Sequence, residues 1–280
     1  MTVKTDFPVI TSRANPFITE TAALVQRKHR DAAGLFILEG EKLVREAAEA
    51  GLPVVSVIVA ESRAEEFAAR LMPVYRGEKY KNTAWRVVSD GCFSKISTEK
   101  SPQGVIATVK HLDIFKRMTI IYDEELHNLQ NKRVILLYAM QDPGNLGAVI
   151  RSAVAFGAEA LIVSPDCADL YNPKTVRAAM GSLFHLNILT VEDFPSAVRA
   201  LQASGRRVLA AELRDGAVPL DKADLRASDC VMIGNEGHGI PEEISALCDA
   251  SVYLPISPGA ESLNAASAAS VFLWELQKCR

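Results

Sequence analysis

The chain has 280 residues, of which 49% are hydrophobic and 23% charged, with a net charge of −3. A chain of that length forms one large or two modest domains and buries roughly 75% of its unfolded surface, so it needs no external staple. The balance is that of a soluble globular protein and excludes a polycation that holds nucleic acid by bulk charge, while leaving room for a local basic face.

The first third reads as mixed α and β. The stretches 19–31 and 39–51 have helical spacing; in the second, Leu43, Val44, Ala47 and Ala48 share a face and Gly51 is the stop. "LFILE" and "VVSVIVA" read as strands, 65–71 as a helix, and "AWRVVS" and "GVIATVK" as two more strands. Alternation with short connections makes this a small α/β layer. Charged, irregular sequence follows, which divides the chain into a domain over 1–112, a linker over 113–131 and a second domain over 132–280. There the strand–helix rhythm repeats, with strands expected at 134–139, 160–163, 207–211, 230–233 and 252–256. Helices are expected at 146–156, 174–181, 192–203, 241–248 and 262–277. Such a pattern predicts a parallel sheet covered on both faces, with ligands beyond the carboxyl ends of its strands.

Several chemistries are absent from the sequence. Cys92, Cys167, Cys230, Cys248 and Cys279 are odd in number and form no C-x-x-C pair, which argues against a disulfide framework and for thiols in a reducing compartment. The five histidines show no metal-ligand spacing, so no metal is expected. The opening residues lack the apolar core of a signal peptide, and 262–276 is too short and polar to span a membrane, so a cytoplasmic protein is expected. Neither G-x-G-x-x-G nor a P-loop occurs, which leaves a nicotinamide-dependent dehydrogenase without its fingerprint.

Three strand-end loops stand out. The first is "QDPGNLGAVIRSAVAFGAEALIV", where an apolar strand stops, a Gly-, Pro- and Asn-rich turn follows, and a helix carries Arg151 among small and apolar residues. Arg151 lies off the stripe of Val149, Ala153 and Phe156. It is either a solvated outer-face arginine or, about one turn inside a helix at a strand end, a bidentate anion holder. The second loop is "VMIGNEGHGIPEEI". Its glycines alone read first as a tight connector; Glu236 between two of them is either an exposed charge or a group that orients an arginine or a ligand hydroxyl. The third is "YLPISPGAESLNAASAAS", where Ser262 suits the N-cap of the last helix and Asn264 has no structural explanation. The small residues behind it let a backbone or a ligand approach closely.

Together these loops resemble the three signature motifs of the SpoU (TrmH-type) RNA 2′-O-ribose methyltransferases of the SPOUT class. "SRANPFITETAALVQRKHRDAAGLFILEGEKLVREA" and "SPQGVIATVK" are similar to the L30e-like substrate-binding domain that precedes many members. The resemblance implies an α/β fold with a deep trefoil knot in the C-terminal domain, an exception to the rule against knots. It further implies S-adenosylmethionine as cofactor and a homodimer through that domain. Asn145, Arg151, Glu236, Ser262 and Asn264 match the family's polar active-site positions. Ala211, Ile233, Gly234, Asn235, Gly237, Ile256 and Leu263 fall where the cofactor is expected, held largely by backbone groups. Where the third motif often reads S-L-N-V-S, this chain has Ala266, and no hydroxyl role is assigned there. On this reading Pro-Gly-Asn-Leu-Gly makes the strand exit and exposes Asn145, Arg151 stabilises the ribose alkoxide or acts as the base, and Glu236 orients Arg151. RNA contact is expected from the N-terminal domain, at the basic cluster Arg27, Lys28 and Arg30, with Arg13 and Lys42 added. The separate domain favours ribosomal RNA as substrate; tRNA methylation and a non-catalytic knotted RNA-binding protein are the alternatives.

Overall fold

The structure is a computed structural model and describes residues 7–130, 132–260 and 262–279. In chain order its elements begin with β1 (Val9–Ile10), α1 (Pro16–Ala23), α2 (Arg27–Ala33), β2 (Leu35–Glu39), α3 (Glu41–Glu49), β3 (Val54–Ala60) and α4 (Ala64–Leu71). Then come β4 (Ala84–Val88), α5 (Asp90–Ile96), β5 (Val105–Lys110), β6 (Phe115–Met118), α6 (Asp123–Leu129), β7 (Val134–Leu137) and α7 (Pro143–Ala155). β8 (Ala160–Val163), α8 (Pro173–Ala179), β9 (Asn187–Val191), α9 (Phe194–Ala203), β10 (Val208–Ala211) and β11 (Val218–Pro219) follow. The chain closes with β12 (Cys230–Ile233), α10 (Glu242–Ser245), β13 (Ala250–Tyr253) and α11 (Ala265–Lys278). Two compact units result, one from the chain up to Leu112 together with Tyr171–Phe184, the other from Asp113–Leu170 and His185 onward.

The first unit holds a five-stranded sheet in the order β1-β4-β3-β5-β2, with β5 antiparallel to both neighbours and the other pairs parallel. β3 is central and almost wholly buried, which is why it reads as an unbroken apolar run. On one face Ile18, Ile58, Val88, Phe93 and Ile106 share a core. The helix expected over 19–31 is two helices. α1 starts at Pro16, capped by Asn15, whose side chain accepts from the Phe17 N–H; the chain then turns at residues 24–26, and Gln26 is extended. The turn frees carbonyls, and Arg30 satisfies them: its guanidinium donates to the carbonyls of Leu24 (2.8 Å) and Val25 (2.6 Å), and the residue is 2% exposed. Arg30 therefore does not belong to an RNA-facing surface, because its charge is spent inside on the break its neighbours make.

Residues 171–184 are held in this unit by specific contacts. Tyr171 stacks on His111 with centroids 4.2 Å apart, packs against Phe36 at 4.6 Å, and accepts a hydrogen bond from the Leu112 N–H at 2.7 Å. On α8, Arg177 pairs with Glu99 and donates to Thr98 Oγ1.

The second unit is built on eight strands in the order β11-β13-β10-β12-β7-β8-β9-β6, every pair parallel, as the strand–helix rhythm predicts. Along each strand alternate residues face opposite ways. Leu136, Ile162, Ala210 and Met232 share a core with Phe194, Val198 and Leu201 of α9. Ile135, Leu161, Leu209 and Val231, equally buried, point the other way, and α7 packs against α11, with Ser152 and Ser270 hydrogen-bonded at 2.7 Å. The expected linker carries instead β6, the edge strand against β9, and α6; Asn131, its last residue, lies outside the described residues. "FKRM" hides from a hydrophobicity reading because an edge strand tolerates charge: Lys116 and Arg117 are exposed and paired with Glu125 and Glu192.

Replacing Arg30 with Gln is expected to lower the stability of the first unit by about 2 kcal/mol, since the buried Leu24 carbonyl and the partly buried Val25 carbonyl lose their donor; urea denaturation followed by circular dichroism measures this.

Candidate functional site

The loops after β7, β10, β12 and β13 leave from four adjacent strands, so they gather at the carboxyl edge of one sheet. The exit from β7 is sharper and earlier than expected. Ala139 has φ +50°, a conformation that costs a non-glycine residue about 1 kcal/mol or more. Two side chains hold it there: the Ala139 N–H donates to Ser164 Oγ at 2.8 Å, and Asn235 Nδ2 donates to the Ala139 carbonyl at 2.7 Å. Helix α7 then begins at Pro143, with Asp142 as N-cap accepting from the Asn145 N–H at 2.9 Å. Pro-Gly-Asn-Leu-Gly is thus the first turn of the helix and not the strand exit. Arg151 correspondingly lies about two turns inside it, at 3.6 residues per turn.

Glu236 organises what surrounds this helix start. Its carboxylate accepts from the N–H groups of Gln141 (3.2 Å) and Asp142 (3.1 Å) and from Asn145 Nδ2 (3.1 Å). Asn145 Oδ1 accepts in turn from Asn264 Nδ2 at 2.9 Å, and Asn264 Oδ1 accepts from the N–H groups of Ala266 (2.9 Å) and Ser267 (3.3 Å). Asn264 is the N-cap of α11, the place expected for Ser262. Each step of this chain donates toward the carboxylate. Burial pushes the Glu236 carboxyl up, but the hydrogen bonds from Asn145 and from the backbone of Glu236, Asp142 and Gln141 outweigh it and hold the group below its ordinary value. Glu236 is therefore an anion at neutral pH and a weaker base than an ordinary carboxylate. No hydrogen bond or ion pair joins it to Arg151 among the described residues. Arg151 is exposed on α7, and among the described residues it has no hydrogen-bond or ion-pair partner.

The loop that carries Glu236 is closed by its own backbone. Asn235 and Gly239 exchange N–H···O bonds of 2.9 and 3.0 Å. A Cβ on Gly234 would lie 2.4 Å from the Gly239 carbonyl carbon, so only glycine fits there. Asn235 Oδ1 accepts from the N–H groups of Gly237 and His238 while its amide reaches Ala139, joining the second loop to the first.

Beside this network lies a cleft of about 480 Å³. Ala211, Ile233, Gly234, Asn235, Ile256 and Leu263 line it, as do Glu236 and Ser262. Gly237 does not; it turns away to donate to Asn235. Asn145, Arg151 and Asn264 lie outside the lining. Leu213, Tyr253 and Phe272 also line the cleft and were not expected. Nothing in the sequence marks Leu213, which sits in a charged loop without a motif. In the first unit Arg13, Arg27, Lys28 and Lys42 are all exposed, Arg27 facing Asp31 at 3.5 Å and Lys42 facing Glu46 at 3.7 Å.

Comparison with known proteins fits this geometry. The model of the SpoU rRNA methylase family matches residues 132–274. The chain belongs to this family. Residues 15–107 match the MRM3-like substrate-binding domain. The SpoU chain is 32% identical, over 96% of its length and 98% of the relative's, to the 23S rRNA (guanosine(2553)-2′-O)-methyltransferase RlmP of Bacillus subtilis. It is also 32% identical to the 23S rRNA (uridine(2479)-2′-O)-methyltransferase of Streptomyces viridochromogenes, over 97% and 92% of the two chains. An AdoMet-bound rRNA methyltransferase from Sinorhizobium meliloti has the same fold, with a TM-score of 0.79 and 29% identity across 97% of this chain and 98% of that one. The α/β architecture of an N-terminal substrate-binding domain before a C-terminal parallel sheet is that of these SpoU structures.

Glu236 titrates below an unfolded carboxyl near 4.5, so its contribution to stability is complete above that pH and is lost as pH falls through the lowered folded value. Glu236→Gln is expected to flatten the fall in urea midpoint between pH 5 and pH 3 relative to the unaltered protein; parallel curves for the two would count against the clamp.

Proposed function

We propose that the protein transfers a methyl group from S-adenosylmethionine to a ribose 2′-hydroxyl of ribosomal RNA. The observation that carries this is the convergence of the three loops, joined by the Glu236–Asn145–Asn264 chain, beside an apolar cleft at the carboxyl edge of a parallel sheet. Family membership and the relatives that act on 23S rRNA support ribosomal RNA over tRNA.

The cleft fits the cofactor. Its volume is within the range of small-molecule sites, about 300–1,000 Å³. Ile233, Ile256 and Leu263 offer apolar surface, and the glycine at 234 keeps backbone groups accessible. When bound there, S-adenosylmethionine supplies an electrophilic methyl group on a sulfonium sulfur. The residues of the chain do the rest. Arg151 is the cation for the target nucleotide: its guanidinium holds the phosphate and stabilises the 2′-oxygen as that oxygen loses its proton to water and takes the methyl group. A guanidinium is almost never neutral, which favours electrostatic stabilisation over proton abstraction by Arg151 itself. Asn145 and Asn264 present oriented amides at the rim, and Ser262 a hydroxyl. Holding hydroxyl and methyl group together contributes much of the rate.

The active form is a cytoplasmic homodimer joined through the second unit. Val271 and Trp274 on α11 support this, being 39% and 49% exposed, with Trp274 edge-on to Phe156 at 5.8 Å; such apolar side chains on one helix suit a self-complementary interface. α11 leaves β13, three positions from β7 in the sheet, yet packs on α7, which supports a trefoil-knotted path. Arg13, Arg27, Lys28 and Lys42 face the RNA from the first unit.

Transfer of labelled methyl to 23S rRNA fragments, with the product located as a 2′-O-methyl nucleotide by digestion and mass spectrometry, tests the function. Arg151→Lys is expected to slow single-turnover transfer by roughly 100-fold or more, the scale of a lost oxyanion donor; full activity in that variant would remove Arg151 from the chemistry. Charge reversal of Arg27 and Lys28 together is expected to weaken RNA binding and to lower the slope of log K against log salt by about 2. Filter binding across a salt series reads both quantities.

A further inference from the structure

Leu213 is 78% exposed, more than any other large hydrophobic side chain among the described residues, yet it lines the cleft assigned above to the cofactor. Its exposure is not that of a loose loop, because both neighbours are tied down. The Glu212 N–H donates to the Val252 carbonyl at 3.0 Å, and Glu212 Oε1 accepts from Ser251 Oγ at 2.7 Å and from Ser245 Oγ. Arg214 donates to Ser245 Oγ at 2.5 Å and to Glu242 Oε1 at 2.7 Å. The polar anchors on either side fix the backbone so that the branched side chain stands at the cleft mouth with most of its surface in water.

Exposing a leucine this way forfeits the gain of burying it, roughly 0.8 kcal/mol per methylene. The remaining apolar lining, Ile233, Ile256, Leu263 and Phe272, lies in the same cleft, so an occupant would meet apolar surface there as well as at Leu213. We propose that Leu213 is the cover of this cleft, a binding residue that packs against the apolar face of the adenosine base. This inference rests on the cofactor reading given above. Glu212 and Arg214 act through Leu213 by fixing where it stands, as positioning residues.

The test is isothermal titration of the full-length protein with S-adenosylhomocysteine and, separately, with 5′-deoxy-5′-methylthioadenosine, which lacks the amino-acid end. Leu213→Ala is expected to raise Kd about tenfold for both ligands, the loss of roughly two methylenes of contact. Leu213→Met, which keeps the apolar reach, is expected to stay within about twofold of the unaltered protein. The melting temperature without ligand should be the same for all three, since the side chain is in water. Unchanged affinity in Leu213→Ala while the unaltered protein binds normally would overturn the cover and leave the cofactor reading intact. A loss confined to S-adenosylhomocysteine would place Leu213 on the amino-acid end and overturn the assignment to the base. If the unaltered protein bound neither ligand, both readings would fall together.

Discussion

One carboxylate decides the shape of the site. Glu236 takes two N–H groups from the start of α7 and, through Asn145 and Asn264, is linked to the start of α11. A helix N-terminus carries a partial positive charge and unsatisfied N–H donors, so an anion stabilises it and is stabilised by it. Here the N–H groups leading into α7 meet the carboxylate directly, while the first N–H groups of α11 are taken by Asn264, which reaches the carboxylate only through Asn145. Each charge-assisted bond is stronger than a neutral one, though solvent screens these because Glu236 is exposed. The gain in position matters more than the gain in energy: loops from β7, β12 and β13 cannot drift apart while the chain of amides is intact.

The sheet makes that convergence possible. In an all-parallel sheet every strand ends at the same edge, and the order β13-β10-β12-β7 sets four loops side by side. The strained Ala139 belongs to the same arrangement. Its left-handed backbone lets the chain leave β7 abruptly, and the cost is offset by the Ser164 and Asn235 hydrogen bonds, one of them supplied by the second loop. The first loop's conformation therefore depends on the second being in place.

What the sequence disclosed follows from how local each signal is. The buried strands of the second unit could be read from their apolar runs, and the three loops from their glycines, prolines and polar residues. The starts of α7 and α11 each lie three residues from the expected position because capping is a contest among neighbours. Asp142 with Pro143 takes the cap ahead of the glycine-rich turn, and Asn264 takes the one that Ser262 equally suits by residue type. Arg30 escapes sequence reading because a basic side chain in a basic run gives no sign that a break in the helix four to six residues upstream draws it inside. β6 and Leu213 break the inside–outside rule in opposite senses, a charged strand and an exposed leucine, and pattern reading depends on that rule.

The role proposed for Arg151 has an electrostatic logic. A guanidinium already paired with a carboxylate carries little field for a second anion, because the pair is close to neutral at any distance beyond its own length. With its negative charge given to backbone N–H groups and amides, Glu236 leaves Arg151 uncompensated. The expected ion pair would have oriented the arginine but would have drained the charge that the proposed stabilisation of the 2′-oxygen requires. Holding the loops with the carboxylate and leaving the cation at the surface of α7 meets both demands with separate residues.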